Sequence, residues 1–260
     1  MANTLFTGKV YQCFDELSST NDYVLDLLAK SKPPEGIAIR AATQSAGRGQ
    51  YGSRWESESG QNLTLSVLFY PNWLKVNEQF FLSMAVALAV RDTVEACGGK
   101  AHKHLPSLSP ITVKWPNDVY CGSEKVAGIL LQNTIQGQQL QASVVGIGLN
   151  VNQCVFDKTL PNPSSMARVF KTRFDLDEVM GLLFENLEKR YLHLKAGHKN
   201  LLKTTYESAL FRKEALSDFT LADGSRFKGT ILGVSDQGHL CIQTANGIHQ
   251  FETKAVKLCL

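Results

Sequence analysis

Residues 44–55 have the sequence QSAGRGQYGSRW, and the glycines Gly47, Gly49 and Gly52 match the dinucleotide-binding pattern G-x-G-x-x-G. That pattern needs a helix that begins at the glycines and an acidic residue about twenty positions later that binds the ribose. Here a polar loop continues to residue 60, and Pro71 stands where the acid is required. The segment also lacks the Lys-Ser or Lys-Thr pair of a P-loop. It therefore argues against both folds.

The residue types in this segment suit the binding of an anionic ligand that contains a nucleotide base. Glycines let the backbone approach a ligand closely, and Arg48 and Arg54 can each bind phosphate oxygens through a guanidinium group. Trp55 offers an aromatic face on which a nucleotide base can stack. The alternative at this point is a surface loop whose arginines bind no ligand.

Three later segments place polar side chains or glycines on predicted strands. The segment KWPND, residues 114–118, concentrates polar groups at a strand end, where a rigid scaffold commonly carries a site. In KVAGILL, residues 125–131, Lys125 begins a strand and Gly128 leaves room for a ligand against the backbone. Two glycines in GIGLNVN, residues 146–152, indicate close approach of another group. The alternatives are that the segment KWPND is a solvated strand end without a ligand and that Lys125 is a solvated surface lysine.

These motifs predict a site that binds and positions anionic ligands. A catalytic serine is not indicated, because no G-x-S-x-G nucleophile elbow occurs. The hydrophobic pattern places them on helices and strands. A helix is expected to begin at Ser19, whose side chain can cap it, and a second helix to end at Gly98 and Gly99. A turn around Gly137 should join two strands as a hairpin. Strands are expected at 37–39, 63–69, 111–115, 125–134 and 140–150, and helices at 79–97, 175–194 and 200–210.

The pattern changes near Arg212, beyond which short strands alternate with turns. The pairs Asp-Gly and Asn-Gly favour tight hairpin turns that need a positive φ. About fifty residues of this kind predict a small β-barrel. We therefore divide the chain into two units, a binding and catalytic domain at 1–211 and a small β-barrel domain at 212–260.

The composition is that of an ordinary globular protein. The chain has 260 residues, a formal charge of +3 and 43% hydrophobic residues, which excludes a disordered chain and a strongly basic nucleic-acid binder. The six cysteines form no Cys-x-x-Cys pair, so neither a zinc clip nor a thioredoxin-type pair is indicated. No signal peptide is evident, and the apolar run 80–90 is shorter than the ~20 residues that cross a bilayer. We expect a cytoplasmic protein without a DNA or membrane partner.

Taken together and in this order, these segments and the Ser19-Thr20-Asn21 start resemble the biotin protein ligases. The resemblance extends from about residue 10 to residue 152, and the carboxy-terminal region is a weaker match. It implies an α+β fold in which helices flank a mixed β-sheet, as in class II synthetases, followed by an SH3-like β-barrel. The implied ligase reaction activates biotin with Mg²⁺ and ATP to biotinyl-5′-AMP. It then transfers biotin to a lysine on the biotin carrier domain of a carboxylase.

The resemblance also implies a role for each matching residue. Arg48, Lys125 and Asp118 would be catalytic: the two cations bind carboxylate and phosphate, and Asp118 orients or deprotonates the acceptor amine. Trp55 would stack on adenine. The implied biotin-binding residues are Ser19, Thr20, Asn21, Gln44, Gly47, Arg48, Gly49, Gln50, Lys125 and Gly128. The implied ATP-binding residues are Arg48, Arg54, Trp55, Lys114, Asn117 and Asn150, and the metal ligands are left unassigned.

Two positions depart from the family pattern. Gln50 stands where many members have arginine, and Ser53 where several have a basic residue, so the part of these positions in holding an adenylate is open. Only 18 residues precede Ser19, and we expect the form of ligase that lacks a DNA-binding domain. The alternatives are a lipoate ligase or octanoyltransferase of the same fold and a non-catalytic biotin-binding regulator. The sequence does not choose between a monomer and a homodimer, nor does it name the acceptor carboxylase.

Overall fold

The larger of two β-sheets forms the centre of the molecule. The computed structural model describes residues 2–101 and 109–259. The strands of this sheet are β1 (Tyr11–Leu17), β2 (Ala38–Gln44), β3 (Leu63–Phe69), β4 (Ile111–Lys114), β5 (Asp118–Cys121), β6 (Glu124–Gln136) and β7 (Gln139–Leu149). Their spatial order is β1-β2-β3-β7-β6-β5-β4. β1 and β2 are parallel and the other neighbours antiparallel, which confirms the predicted mixed sheet.

Helices cover both faces of this sheet. They are α1 (Thr20–Lys30), α2 (Gln79–Ala101), α3 (Met166–Phe170), α4 (Leu176–Lys195) and α5 (Lys199–Ser208). Val24 of α1 packs on one face with Ile39 and Val144, whereas α2 lies on the other face, with α4 packed against it. β3 is buried at every position for this reason. Within the two described ranges, no helix is long and apolar enough to cross a membrane.

Local signals in the sequence explain several element boundaries. The hydroxyl oxygen of Ser19 accepts the backbone N–H of Asp22 at 3.3 Å, which confirms the predicted cap of α1. β6 and β7 form the predicted hairpin, in which Gln136 pairs with Gln139 and Gly137 has a φ of 61°. A side chain at that φ would be strained, so the turn requires glycine.

The predicted end of α2 at Gly98 and Gly99 is wrong, because the helix continues to Ala101. A Cβ atom on Gly98 would lie 2.5 Å from the ring of Phe170, so this glycine permits close packing with α3. The structure also adds β1 and β5, which the sequence pattern did not predict. β1 is an edge strand with most side chains at least partly exposed, and the four residues of β5 are too few to establish a period.

A second, antiparallel sheet follows the helices. Its strands are β8 (Leu216–Leu221), β9 (Arg226–Val234), β10 (Leu240–Thr244), β11 (Gly247–Phe251) and β12 (Val256–Leu258), in the order β11-β10-β9-β8-β12. Gly224, Gly238 and Gly247 have positive φ at the turns, with values of 86°, 90° and 113°. The short strands and glycine turns predicted beyond Arg212 are therefore present. Phe219 and Ile231 extend the core of the first sheet into this region.

A buried carboxylate on α4 holds the amino-terminal segment in place. Glu188 is only 6% exposed. The N–H groups of Leu5, Phe6 and Thr7 donate to its two oxygens at 2.6, 2.9 and 2.9 Å. Burial acts to raise the pKa of Glu188, but the three N–H donors together outweigh burial and lower the pKa below its ordinary value. The carboxylate is thus charged and satisfied in the folded protein.

Glu188→Gln should lower the free energy of unfolding by about 1–3 kcal/mol near neutral pH, because an amide NH₂ replaces one acceptor and leaves a buried N–H unpaired. The folded pKa lies below the unfolded value of ~4.3, so this stabilisation is present above that value and is lost as the pH falls through the folded pKa. Urea unfolding at neutral pH and at about pH 3 measures both effects.

The matched control for this prediction is Glu185→Gln on the same helix. Among the described residues, Glu185 accepts one exposed N–H, from Asn3 at 2.7 Å. Its replacement should change the free energy of unfolding by no more than about 0.5 kcal/mol. Equal effects of the two substitutions would contradict a special role for Glu188.

Candidate active site

A cavity of about 490 Å³ lies between the two sheets, within the ~300–1,000 Å³ range of small-molecule sites. Strands β6 and β7 contribute its floor, and the start of α1, the loop 44–55 and the β4–β5 turn surround it. Most of the predicted site residues line this cavity: Ser19, Thr20, Asn21, Gln44, Arg48, Gly49, Gln50, Arg54, Trp55, Lys114, Asn117, Asp118, Lys125 and Gly128. The other two predicted residues, Gly47 and Asn150, are not among its lining residues.

One corner of the cavity is built around the amide group of Gln44. The backbone N–H of Thr20, at the start of α1, donates to Gln44 Oε1 at 2.8 Å. This bond fixes the amide orientation, so Nε2 is on the other side, and no described residue accepts from it. The corner therefore offers the Nε2 group of Gln44 as a donor to a ligand that carries a hydrogen-bond acceptor.

The glycine-rich loop folds back on itself as a small hairpin above the cavity. The N–H of Gly49 donates to the carbonyl of Ser53 at 2.7 Å, and the N–H of Trp55 to the carbonyl of Gly47 at 3.0 Å. A Cβ atom on Gly47 would overlap the carbonyl oxygen of Trp55. Gly47 thus shapes the hairpin that carries the cavity-lining side chains, although it does not line the cavity itself.

The indole of Trp55 lies on a patch of sheet that has no side chains. Gly128 of β6 and Gly148 of β7 are directly paired there. A Cβ atom on Gly128 would lie 2.9 Å from the Trp55 ring, and one on Gly148 would overlap the ring. Trp55 Nε1 is buried, and no described residue accepts its hydrogen. The two glycines therefore create the space that the indole fills.

Two cationic side chains of the cavity, Arg48 and Lys125, are paired with carboxylates. Arg48 Nη2 lies 3.1 Å from Asp22 Oδ2 of α1, and the Arg48 side chain is 58% exposed. Lys125 Nζ lies 2.8 Å from Asp118 Oδ2 and 5.8 Å from the centre of the Trp55 ring. Because an ion pair can exchange partners, an incoming anion can replace either carboxylate without leaving a cation unpaired.

Lys114, the last residue of β4, also lines the cavity. It is half-buried, and its Nζ lies 5.3 Å from the centre of the Tyr120 ring. Burial lowers the pKa of Lys114, Asp118 opposes this shift, and the nearby cations Lys125, Lys257 and Arg212 add to it. The residue combines a positive charge with an amine that is deprotonated more readily than usual.

Two buried asparagines support the cavity walls. Asn117 Nδ2 donates to the carbonyl oxygen of Ile129, which fastens the β4–β5 turn to β6. Asn150 follows β7, and its Nδ2 donates to the carbonyl of Ser164 at 3.0 Å. The Asn150 Oδ1 atom is buried without a hydrogen-bond partner among the described residues. A buried acceptor without a partner costs stability unless a ligand or water donates to it.

Sequence reasoning missed several residues of the site. Asp22, which pairs with Arg48, was not assigned to the site, and Ser66, buried behind Thr20, gave no signal. Gly146 and Gly148 were recognised as places of close approach but not assigned to the site, which they line. The opposite wall comes from the carboxy-terminal region, which no motif marked: Leu210, Phe211, Ile231, Leu240, Thr253, Lys254, Val256, Lys257 and Leu258.

A helix-flanked mixed sheet with a cation-lined cavity of this size is typical of proteins that bind small anionic molecules. The model of the Biotin/lipoate A/B protein ligase family matches residues 13–150, more than half of the chain, and the chain belongs to this family. The resemblance inferred from the motifs is thereby confirmed.

Individual relatives extend the similarity over nearly the whole chain. The bifunctional ligase/repressor BirA of Bacillus spizizenii is 28% identical over 253 residues, which cover 96% of this chain and 73% of that protein. The biotin–[acetyl-CoA-carboxylase] ligase of Mycobacterium tuberculosis is 28% identical over 241 residues, 90% of this chain and 85% of that protein. The biotin protein ligase of Aquifex aeolicus, solved with biotin and ATP, has the same fold, with a TM-score of 0.78, 24% identity, and coverage of 96% and 99%.

Gly148→Ala should push the indole of Trp55 away from the sheet, because the added methyl group would overlap the ring. The measurement is acrylamide quenching of the fluorescence of Trp55. The contribution of Trp55 is obtained by subtracting the fluorescence of a matching variant that also carries Trp55→Phe. Quenching should increase in the alanine variant. Gly181→Ala is the control, because a methyl group there meets nothing within 4 Å. It should leave the quenching unchanged, and unchanged quenching in Gly148→Ala would contradict the packing described above.

Proposed function

We propose that this protein is an ATP-dependent biotin protein ligase. The observation that carries the proposal is the meeting of Arg48, Lys114 and Lys125 with the Gln44 corner in one cavity. The cations suit a carboxylate beside a triphosphate, and the corner suits an uncharged polar head group. The names of the relatives from Bacillus and Mycobacterium support this reading, as does the Aquifex enzyme that binds biotin and ATP.

The first half-reaction joins two anions. A carboxylate oxygen of biotin attacks the α-phosphorus of ATP, the bond from that phosphorus to the bridging oxygen breaks, and pyrophosphate leaves with the electron pair. Arg48 and Lys125 would exchange Asp22 and Asp118 for substrate oxygens, so that their charges screen the repulsion between the reactants. Fixed cations also hold the two oxygens in the geometry of attack. The product is biotinyl-5′-AMP.

Nucleotide binding would require Trp55 to leave the glycine patch. By the family resemblance Trp55 stacks on adenine, while Gly128 lies beside biotin. In the structure the indole covers that glycine, so we propose that biotin takes the place of the indole. Lys114 and Arg54 would bind phosphates, Asn117 would hold the turn beside them, and the unpartnered Oδ1 of Asn150 would accept from the nucleotide.

Mg²⁺ would enter with the nucleotide and lower the charge of the phosphates. Among the described residues no cluster of three or more His, Cys, Asp or Glu side chains could hold a metal ion by itself. Asp118 is the one carboxylate among the described lining residues. Because Mg²⁺ typically keeps several waters and binds one or two carboxylates plus substrate phosphates, this donor set fits the ion. Asp118 would be its protein ligand before the amine arrives.

The second half-reaction transfers biotin to a lysine on the biotin carrier domain of a carboxylase. The lysine amine, with an ordinary pKa of ~10.4, must lose a proton before it attacks the acyl carbon and releases AMP. Asp118 is free to orient or deprotonate this amine once Lys125 binds the substrate. We also propose that the strands beyond Arg212 form an SH3-like barrel domain, and that the reaction takes place in the cytoplasm.

Biotin-dependent exchange of radiolabelled pyrophosphate into ATP tests the first half-reaction. Wild-type protein should catalyse it, and Arg48→Ala and Lys125→Ala should each reduce kcat/KM by about tenfold or more, about 1.4 kcal/mol. Lys203→Ala is a matched control, because the two lysine side chains are similarly exposed and each pairs with an aspartate. The Lys203 side chain is 28% exposed and pairs with Asp236. The Lys125 side chain is 27% exposed and pairs with Asp118. Lys203 does not line the cavity and its loss should leave exchange unchanged.

Other outcomes of the exchange assay contradict parts of the proposal. Exchange with lipoate in place of biotin would favour the lipoate-ligase alternative. Tight biotin binding without any exchange would favour a non-catalytic regulator. Wild-type rates in both Arg48→Ala and Lys125→Ala would remove these cations from the mechanism while leaving the substrate assignment intact.

The pH dependence of exchange tests the role of Lys114. The ammonium form binds phosphate and the neutral amine does not, so kcat/KM for ATP should fall as the pH rises through the lowered pKa of Lys114, below the ordinary ~10.4. In Lys114→Arg this fall should move to higher pH, because a guanidinium stays protonated up to at least about pH 12. An identical alkaline fall in wild type and variant would assign it to another group.

A further inference from the structure

The turn between β4 and β5 is only three residues long, and a cavity-lining residue stands at each of its ends. The turn consists of residues 115–117 and connects Lys114 to Asp118. These two residues pair with each other across the hairpin, and both line the cavity. The placement of an ammonium and a carboxylate in the cavity therefore depends on the path of three residues of backbone.

Each of the three turn residues is hydrogen-bonded to a different part of the fold. Trp115 Nε1 donates to the carbonyl oxygen of Gly238, in the turn between β9 and β10, at 2.9 Å. The hydroxyl of Tyr206, on α5, donates to the carbonyl oxygen of Pro116 at 2.9 Å. The side-chain amide of Asn117 donates to a carbonyl of β6. The turn is thus held from three directions.

Tyr206 reaches the turn from behind and not from the cavity. It is 0% exposed and is not among the lining residues. Burial raises the pKa of Tyr206, and the negative charge of Asp118 raises it further, so the hydroxyl keeps its hydrogen. Because a carbonyl oxygen only accepts, that hydrogen goes to Pro116. Tyr206 can therefore affect a bound ligand only through the turn.

The same region of α5 is joined to the second sheet. The carboxylate of Glu207, next to Tyr206 in the chain, accepts the N–H of Val234 at the end of β9 at 3.1 Å. The ring of Phe80 packs edge-to-face on Tyr206, with ring centres 5.8 Å apart. A Cβ atom on Gly238 would overlap that same ring. The groups that hold Trp115 and Pro116 are therefore packed against each other.

We propose that Tyr206 is a positioning residue which, together with Trp115, holds the β4–β5 turn so that Lys114 and Asp118 meet the substrates in the reactive geometry. The proposal rests on the proposed function, in which Lys114 binds phosphate and Asp118 binds Mg²⁺ and orients the amine. The second sheet thus serves the reaction through this turn as well as through the cavity wall. A displacement of about 1 Å at such a site can cost about a hundredfold in rate.

The test compares Tyr206→Phe with wild-type protein in biotin-dependent pyrophosphate exchange. The phenylalanine keeps the ring and its packing but removes the donor to Pro116, so the turn can shift. The kcat/KM for ATP should fall by about tenfold. The KM for biotin should change by less than about twofold, because the Gln44 corner is carried by α1 and β2 and not by this turn.

Repeating the substitution in a protein that carries Asp118→Asn separates positioning from a general loss of packing. If Tyr206 acts through the turn, the carboxylate that it helps to place is already gone. Tyr206→Phe should then lower kcat/KM for ATP by less than about threefold, because residues that act as a unit have non-additive effects. A merely structural role would lower it by about tenfold in both backgrounds.

Tyr70→Phe is the matched control. The hydroxyl of Tyr70 also donates to a proline carbonyl, that of Pro33, at 2.8 Å, and Tyr70 does not line this cavity. Its replacement removes the same kind of hydrogen bond at a place without contact to the turn. Both kcat/KM for ATP and KM for biotin should stay within about twofold of wild type.

Trp115→Phe provides a second variant, which replaces Tyr206→Phe if that protein does not fold. It removes the Nε1 donor to Gly238 and should lower kcat/KM for ATP in the same direction, again with a smaller effect in the Asp118→Asn background. Its control is Trp73→Phe, because Trp73 Nε1 is buried without a partner among the described residues. The control should keep the wild-type kinetic constants.

The proposal is overturned if folded Tyr206→Phe, or failing that Trp115→Phe, keeps the wild-type kcat/KM for ATP. It is also overturned if the loss is the same with and without Asp118→Asn. Its failure can be told from failure of the proposed function, because in the first case wild-type protein still catalyses biotin-dependent exchange and in the second it does not.

Discussion

The cavity depends on two glycines that face each other across neighbouring strands. Gly128 and Gly148 leave a strip of the central sheet without side chains, and the indole of Trp55 occupies it. Helices cover the sheet elsewhere, so this strip is a rare place where a flat ring can lie directly on the backbone. The hairpin of residues 47–55 takes its position from that contact, and Arg48 is carried with it.

Charge compensation is the second organising feature. Arg48 is paired with Asp22, and Lys125 with Asp118, at 3.1 and 2.8 Å. An unpaired cation in a partly desolvated cavity would cost stability, whereas a paired one can pass from a protein carboxylate to a substrate anion. The protein can therefore concentrate positive charge for catalysis while it remains stable without substrate. The same exchange would free Asp118 for its part in the transfer step.

Local signals made much of the fold and site predictable, and long-range contacts account for what was missed. The cap at Ser19 and the hairpin at Gly137 depend on neighbouring residues alone. Gly98 was misread as a helix end because its partner, Phe170, is far away in sequence. Ser66 was missed for the same reason, since its partners Thr20 and Asn21 lie 46 and 45 positions from it. No periodicity encodes such pairings.

The wall contributed by residues 253–258 has a consequence for biosynthesis. The ribosome completes the glycine strip, the cations Arg48, Lys114 and Lys125, and the polar corner well before β12 emerges to pair with β8. A nascent chain can thus fold its central sheet, since domains commonly fold in the order of synthesis, yet it holds an unfinished pocket. Substrate capture would then begin only after β12 has been synthesised, and a product that terminates before it would hold an incomplete pocket.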